Sequence, residues 1–600
     1  MKLRSLWIRF APLAALLTLS ASAAPLYWDN SSADSLWSTL ANWSTDPAGG
    51  VDPLAVPGAG DVATFNATSL TTDTATPQTV NLGGNISVSG LSYLGQSNVL
   101  TLQGGGSNVV LSIGADGIIA SGAGNSSSTT TPPTTNPTKI FNIGNTTAGQ
   151  NVSISLMASQ TWASNISGTV ISSDGIYVKN GVSLGIAGNH TLTLGGTSSS
   201  TPLNTISGNI SDGGADRSLS ITLAPGALNN NNRWTLSGNN SYTGLTTITN
   251  GALTIGHVNA LGATSAGTSV ASGAGLFFRG TVSGTMAAEA LTIAGNGPDN
   301  KGALRNVNGT NTWHGTIAAT TTTGTSTTIG SDAGSLTLSS TADITTSGSG
   351  TLRFVGAASL TVNGSISGAA SVTNVAASGG TAVNGAVVIF GGDSKAYTGT
   401  TTVTGGILRV NTGITGTSAF NVGAGGILQG NGGTINTTIS TIINGASGSL
   451  GTISAGMGTG NIGSLTTGEL SLGAFSRMVA DVNYDGLGTS DVINVSALTI
   501  ASGAALEINL MGTTPQIGST VLVIKNSGVW NGGLLSVGGS TVADDATFTT
   551  ASGTYRLDYN YAGSLGSGVA VTLLEVIPEP STMGLLGFAA IAVGMRRRRA

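Results

Sequence analysis

The sequence predicts an all-β chain built from short, repeated strands, and three observations carry this prediction. Of 600 residues, 93 are Gly and only 8% are charged, where globular domains usually carry about one quarter charged residues. Thr, Ser, Val and Ile suit half-buried pleated surfaces, and the frequent Gly and Asn suit tight turns. No apolar pattern with a 3.6-residue period is sustained outside the two termini. Together these features favour an extended, repetitive β architecture.

The N-terminus, "MKLRSLWIRFAPLAALLTLSASAAPLYW", predicts a secretory signal peptide over residues 1–23. Basic residues precede an apolar run at 10–19 and a small-residue stretch, and that run is too short to span a membrane. Cleavage between Ala23 and Ala24 keeps Pro25 out of the first mature position. The alternatives are an uncleaved anchor or a buried N-terminal helix.

Residues 24–70 differ in composition from the rest of the chain, because Trp28, Trp37 and Trp43 fall within sixteen residues. Their W…NW…P…GD-A-F pattern resembles the capping start of secreted bacterial repeat proteins, and the open end of a repeat stack needs a cap. We therefore predict an aromatic N-terminal cap. An aromatic platform that stacks against carbohydrate is the competing interpretation.

Residues 71–575 alternate short β-prone runs with Gly/Asn/Ser/Thr turns, which predicts a β-solenoid repeat region. One unit spans 234–262 and a second spans 396–413. Aligned on Tyr242 and Tyr397, both read Tyr-Thr-Gly, a Thr-rich strand, Gly, and a strand centred on Leu253 or Leu408. We expect both leucines to point into a shared interior. The proline-containing stretch 125–139 predicts an exposed loop or a linker.

These units resemble the passenger-associated β-strand repeat of autotransporters, most clearly over residues 205–515. The resemblance implies a right-handed parallel β-helix. An autotransporter continues into a C-terminal outer-membrane barrel, whereas this chain reaches a different kind of tail about sixty residues later. We therefore expect that the protein does not translocate itself.

The tail, residues 576–600, combines Pro578-Glu579-Pro580, a short apolar segment at 581–595 and four arginines, Arg596, Arg597, Arg598 and Arg599. A membrane span takes about 20 residues, so this segment predicts an unusually short transmembrane helix with its arginines left inside. The order and spacing of the three parts closely resemble the PEP-CTERM sorting signal. That resemblance implies recognition by an exosortase, a membrane-embedded cysteine protease/transpeptidase, in a Gram-negative-type bacterium that makes extracellular polysaccharide. The alternative is a plain transmembrane anchor.

Candidate chemistry is sparse: we predict no catalytic residue and no cofactor, and the chain contains no cysteine. Asp481, Asn483 and Asp485 match the first three ligand positions of a calcium loop, but the final glutamate position holds Val492. An Asp-Gly hairpin turn is the favoured interpretation, and no metal site is predicted.

Without its two ends the body has 13 basic and 24 acidic residues, a net charge near −11, which argues against nucleic acid as a partner. We interpret the chain as an exported structural or adhesive surface or extracellular-matrix protein. Its expected partners are an exosortase, extracellular polysaccharide and, transiently, the inner membrane. The alternatives are a secreted polysaccharide lyase or hydrolase on a β-helix scaffold, which needs carboxylates gathered on one face, and a simple membrane-tethered surface protein.

Overall fold

The structure, a computed structural model, describes residues 24–66, 78–94, 99–122, 140–166, 175–197, 204–226, 233–376, 387–458, 460–486 and 488–577. The predicted signal peptide, the stretch 125–139 and all but the first two residues of the predicted tail lie outside these ranges. Within them the regular structure is β-strand, apart from a single 3-10 turn at Leu40–Asn42. The all-β prediction is confirmed.

The strands of the first part of the chain are β1 (Ala24–Trp28), β2 (Trp43–Ser44), β3 (Asp61–Asn66), β4 (Gln78–Asn81), β5 (Ile86–Leu94), β6 (Leu100–Gln103), β7 (Val109–Gly122), β8 (Ile140–Ile143), β9 (Val152–Leu156), β10 (Gln160–Ile166), β11 (Gly175–Val178), β12 (Val182–Leu184), β13 (Gly188–Gly195), β14 (Asn204–Ile206), β15 (Ile210–Ser211), β16 (Arg217–Leu223), β17 (Arg233–Leu236), β18 (Thr246–Ile248) and β19 (Ala252–Ile255).

The middle part contains β20 (Thr268–Val270), β21 (Gly275–Arg279), β22 (Leu291–Ala294), β23 (Leu304–Asn308), β24 (Thr310–Trp313), β25 (Ile317–Thr320), β26 (Ser326–Ser331), β27 (Ser335–Leu338), β28 (Ile344–Thr346), β29 (Thr351–Gly356), β30 (Ser359–Val362), β31 (Ile366–Gly368), β32 (Ser371–Ala376), β33 (Val387–Phe390), β34 (Thr401–Thr404), β35 (Ile407–Val410) and β36 (Gly413–Ile414).

The last part contains β37 (Phe420–Val422), β38 (Ile427–Gly430), β39 (Gly433–Ile435), β40 (Ser440–Ile443), β41 (Gly451–Ala455), β42 (Ser464–Thr466), β43 (Glu469–Leu472), β44 (Ser476–Asn483), β45 (Thr489–Ser490), β46 (Val492–Val495), β47 (Ala497–Ile500), β48 (Ala505–Met511), β49 (Thr520–Asn526), β50 (Ser536–Val537), β51 (Ser540–Thr541), β52 (Thr547–Thr549), β53 (Gly553–Gly563) and β54 (Gly566–Val576).

Three sheets, A, B and C, run along the chain, and their strands pair in parallel with strands of the next turn. Sheet A runs from β1 through β18 and β31 to β49, sheet B from β4 through β19 to β47, and sheet C from β24 to β50. Between β31 and β36, sheet A continues through Lys395, which bridges Ile366 and Ile414. The chain thus passes from sheet to sheet and returns one strand further along.

We call one such passage a coil, and its length varies. From β34 the chain goes through β35 in sheet C and β36 in sheet A before β37 pairs with β34, so that Thr401 stands opposite Phe420. A later coil is ten residues longer, with Ser440 opposite Glu469. Most of the additional residues lie in the turns, since the strands β40, β41 and β42 are together only two residues longer than β34, β35 and β36.

The core is formed by the inward-facing residues of every coil, stacked in register. In sheet B, Leu253, Leu276, Leu304, Ile329 and Phe354 stand one above the next, and all five are fully buried. A fully buried side chain of this size contributes about 1.5–3 kcal/mol relative to an exposed one. One continuous hydrophobic cluster results, which extends from Leu26 to Leu573.

The two sequence repeats share one local structure. The buried hydroxyls of Tyr242 and Tyr397 each form a 2.7 Å hydrogen bond with the hydroxyl of the threonine four residues on. The glycine two residues after each tyrosine approaches the preceding coil closely: a Cβ on Gly244 or Gly399 would lie 2.4 or 2.3 Å from a backbone carbonyl oxygen. The Tyr-x-Gly sequence therefore forms a corner of the coil, and its third position has room only for glycine.

The repeats do not occupy the same position around the stack, however. The strands of the first, β18 and β19, belong to sheets A and B, whereas those of the second, β34 and β35, belong to sheets B and C. Leu253 and Leu408 are both buried in the one core, as predicted, but on different sheets. The sequence repeat is thus displaced by one sheet between its two copies.

The C-terminal end of the stack changes strand direction. The last long strand, β54, pairs antiparallel with β49 and with β53, and β52 pairs antiparallel with β53. Tyr484 is buried at this end, and its hydroxyl donates a 3.0 Å hydrogen bond to the carbonyl of Val571. These strands cover the last coil, a feature that the sequence pattern does not predict.

Residues 24–577, where described, include no helix with the length and apolar character needed to cross a membrane. The short transmembrane segment predicted at 581–595 lies outside the described residues and remains a prediction.

Candidate functional site

A cluster of charged side chains lies on the outer face of sheet B and is centred on Arg305. The guanidinium of Arg305 is buried and pairs with the carboxylates of Asp299 and Asp332. Its Nε donates a 2.9 Å hydrogen bond to Asp332. Asp299 comes from the loop before β23 and Asp332 from the turn after β26, so the pairing of neighbouring coils brings them together.

Phe277 extends this cluster by one coil. Its ring is fully buried on the outer face of sheet B, directly opposite Arg305 in the strand register. The guanidinium carbons of Arg305 and Arg279 lie 5.3 and 5.6 Å from the ring centroid, within the range of cation–π attraction. Burial and the nearby Arg233 and Arg305 lower the pKa of Arg279 to about 10. Several cations are therefore held close together here.

A loop at residues 296–302, which we call the covering loop, lies over the next strand of sheet B. The carbonyl oxygen of Lys301 would be 1.9 Å from a Cβ at Gly330, so glycine is required for this approach. Beside the loop is a pocket of about 140 Å³, here called the Arg353 pocket. Its lining residues are Asn300, Lys301, Asp332, Arg353, Val355, Gly356 and Ala357.

A larger hollow of about 570 Å³ lies on the other side of the covering loop. It shares Asn300 with the Arg353 pocket and is lined by Ser, Thr, Gly, Asn and one Ala. The two depressions therefore offer a charged subsite next to an uncharged, hydrogen-bonding one.

The sequence alone did not single out any residue of this cluster. A signal was present, because Arg305 and Arg353 both occur in the pattern Leu-Arg-x-Val, where the outward position of a strand usually holds Thr or Ser. In a chain with 8% charged residues, a charge at such a position is informative. The pairing of the strands that carry them was needed to show that they meet.

The three N-terminal tryptophans are fully buried rather than arranged as a platform. Trp37 and Trp43 pack edge to face with centroids 4.7 Å apart, and Trp28 contacts Trp43 at 5.1 Å. The indole N–H of Trp43 donates a 2.9 Å hydrogen bond to the carbonyl of Trp37. Buried rings cannot stack on a sugar, so this geometry favours the cap over the carbohydrate platform.

The residues of the calcium-like loop bond to backbone and amide groups. The carboxylate of Asp481 accepts hydrogen bonds from the backbone N–H of Gly460 and the side chain of Asn509. That of Asp485 accepts the N–H groups of Thr513 and Thr514. Asn483 pairs antiparallel with Thr489, as in a hairpin. No group of three His, Cys, Asp or Glu side chains placed to hold a metal occurs in the described parts of the chain.

Asp491, the next carboxylate, is buried beside Asp481. Its side chain accepts hydrogen bonds from the N–H of Gly463 at 2.9 Å and the N–H of Asp481 at 3.3 Å. Burial, reinforced by the charge of Asp481, raises the pKa of Asp491 to about 7. The two carboxylates hold residues 460–463 against β44 and serve the packing of this coil.

Two other ionisable groups are buried within sheet A. Burial raises the pKa of Glu289 to about 7, and its carboxyl accepts a 2.9 Å hydrogen bond from Thr268. Burial lowers the pKa of Lys395 to about 8, and its ammonium donates to the carbonyls of Gly364, Gly391 and Asp393 at 2.6, 2.9 and 2.6 Å. Lys395 fills the gap in sheet A between β31 and β36.

Of the predicted processing residues, only Ala24 is described: it is exposed and begins β1 opposite Asp61. Ala23, Pro578, Glu579, Pro580 and Arg596 to Arg599 lie outside the described residues. The C-terminal residues of this set follow Ile577, which comes directly after the exposed end of β54.

Comparison with protein families finds a PEP-CTERM protein-sorting motif over residues 576–599. The predicted sorting signal is confirmed. No curated protein and no solved structure matches the chain.

Proposed function

We propose that this protein is an exported structural or adhesive component of the cell surface or extracellular matrix, sorted by its C-terminal signal. The sorting motif at 576–599 carries this proposal. The body supports it, because a long stack of parallel strands with one continuous core is suited to an extended scaffold. The seventeen strands that sheet B has among the described residues, at ~4.8 Å per strand, correspond to roughly 80 Å.

In this proposal the stack is a right-handed parallel β-helix, or β-solenoid, akin to autotransporter passengers. The parallel register and the recurrence of the Tyr-Thr-Gly corner support the kinship. The buried tryptophans near the N-terminus form its cap.

The route to the surface follows from the two ends. The signal peptide, cleaved between Ala23 and Ala24, directs export, and the apolar segment 581–595 holds the precursor in the inner membrane with Arg596 to Arg599 inside. An exosortase then recognises Pro578-Glu579-Pro580, which follows the last strand of the body by one residue.

Mass spectrometry of the mature C-terminus, in a Gram-negative-type host that encodes an exosortase, tests this route. We expect the arginines to be absent from the surface protein and present in a host without the exosortase. An intact tail in both hosts would refute processing and leave a simple membrane-tethered protein.

At the surface the protein is proposed to associate with extracellular polysaccharide and to act without catalysis, without a cofactor and without nucleic acid. The outward positions of its strands are rich in Thr, Ser and Asn, whose hydroxyls and amides hydrogen-bond to sugars. We expect the protein to be retained in the polysaccharide matrix and to be released when that polysaccharide is removed.

A polysaccharide lyase or hydrolase is the second candidate, because Asp299 and Asp332 meet beside basic residues on one face of the stack. Paired carboxylates are the usual groups for glycoside hydrolysis. Here both are bound to Arg305, which favours a structural role for them. Detectable cleavage of acidic or neutral glycans by the purified protein, lost in Asp332→Asn, would establish the enzyme instead.

A further inference from the structure

We propose that the Arg353 pocket binds the carboxylate of an acidic sugar residue, so that the glycan partner is a uronate-containing polysaccharide. This inference rests on the proposed association with extracellular polysaccharide and names its chemical class. The covering loop, β26 and β29 build the site.

Two cations of the pocket lack a counterion. Within the described ranges, neither the ammonium of Lys301 nor the guanidinium of Arg353 forms an ion pair or hydrogen bond with another residue. The acidic residue in the lining, Asp332, is already paired with Arg305. The pocket therefore presents two unpaired positive charges to an incoming anion.

The surroundings add to this positive charge. Arg233, Arg279 and Arg305 lie on the same outer face. The positive charges of Arg233 and Arg305 both lower the pKa of Arg279 through repulsion. Asp299 and Asp332 offset only part of it. The body as a whole is acidic, with 13 basic and 24 acidic residues. A local positive patch on an acidic protein attracts anionic groups to that place and repels them elsewhere.

The shape of the site favours a carboxylate on a sugar. Arginine binds carboxylates through two parallel N–H bonds, while lysine adds a point charge. About 140 Å³ holds a small group and excludes a folded partner, and Val355 and Ala357 provide an apolar surface for the C–H face of a ring. The adjoining uncharged hollow of about 570 Å³ offers hydrogen bonds to the next sugar residues along the polymer.

Binding of polygalacturonate by the purified full chain, measured by isothermal titration calorimetry, tests the inference. The fully methyl-esterified polymer is the ligand control, because it keeps the sugars and removes the charge. K301Q/R353Q removes both cations of the pocket. K525Q/R556Q is the matched protein control, since Lys525 and Arg556 are exposed residues near the C-terminal strands.

We expect polygalacturonate to bind more tightly than its ester, K301Q/R353Q to lose roughly tenfold or more in affinity, and K525Q/R556Q to bind as the wild type does. Circular dichroism should show all variants folded. Equal binding of both polymers, unaffected by K301Q/R353Q, would refute carboxylate binding by the Arg353 pocket and leave the proposed glycan association intact. Binding of neither polymer would overturn the acidic-glycan assignment, while C-terminal processing and matrix retention test the proposed function independently.

Discussion

Replacing Tyr242 by Phe removes one oxygen from the core and leaves the ring in place. In the native structure the Tyr242 hydroxyl and the Thr246 hydroxyl are 2.7 Å apart and both residues are fully buried. Thr246 has no other side-chain hydrogen bond within the described chain. Tyr397→Phe is the matched comparison, because Thr401 keeps a second hydrogen bond of 2.9 Å to Thr417.

The two variants should therefore differ in stability. Tyr242→Phe leaves the buried hydroxyl of Thr246 without a hydrogen-bond partner, which costs about 1–3 kcal/mol. Tyr397→Phe removes only one of the two hydrogen bonds of Thr401, which is worth about 0.5–1.5 kcal/mol. Long stacks need not unfold in one step, so native-state hydrogen exchange of the affected coil is the appropriate measurement.

A double variant, Tyr242→Phe with Thr246→Val, also removes the unpaired hydroxyl of Thr246. We expect it to be more stable than Tyr242→Phe alone. Equal costs for Tyr242→Phe and Tyr397→Phe, or no recovery in the double variant, would show that the hydroxyl pair does not hold the corner of the repeat.

Three further changes test other parts of the stack. Gly399→Ala places a Cβ 2.3 Å from the carbonyl of Ala370 and should lower the free energy of unfolding by about 1–3 kcal/mol, whereas Gly84→Ala, which meets no atom within 4 Å, should leave it unchanged or slightly raised in chemical denaturation. Because the pKa of Asp491 is raised to about 7, the folded chain holds this proton more tightly than the unfolded chain. Stability should therefore fall as the pH rises from about 4 to about 7, by at most on the order of 4 kcal/mol, and thermal unfolding of Asp491→Asn should lack this component. Lys395→Met leaves the carbonyls of Gly364, Gly391 and Asp393 without their donor, the first of them in a buried hydrogen bond, and should lower the melting temperature through a loss of about 1–3 kcal/mol for the unpaired buried group; an unchanged melting temperature would show that the ammonium does not stabilise this part of sheet A.

The parts of the fold that depend on local pattern could be predicted from the sequence. Alternation of the kind seen in Ser335–Leu338 places every second residue in the core whichever strand lies beside it. The sorting signal could be predicted because its three parts are contiguous. Neither prediction requires knowledge of which coils are neighbours.

The remaining features depend on contacts between distant residues. Coil length changes from turn to turn, so the sequence spacing of Arg305 and Arg353 does not show that they share a face. The direction of β54 could not be predicted either, because it is set by pairing with β49 and β53, and the residues of one strand do not show which way its partner runs. The displacement of the second repeat by one sheet could not be predicted for the same reason: the lengths of the intervening turns decide on which sheet each repeat lies.

In-register stacking also explains why the chain carries so little charge. Equivalent outward positions of successive coils lie ~4.8 Å apart, and two like charges at that distance repel by about 1 kcal/mol in water and several times more near a protein surface. Across the paired strands, Arg305 faces Phe277 and Gly330, and Arg353 faces Thr328 and Thr373. Each arginine thus has uncharged neighbours above and below. Charged side chains on such a scaffold are therefore placed diagonally from one another or paired with carboxylates, as Arg305 is with Asp299 and Asp332, and are not stacked directly above one another.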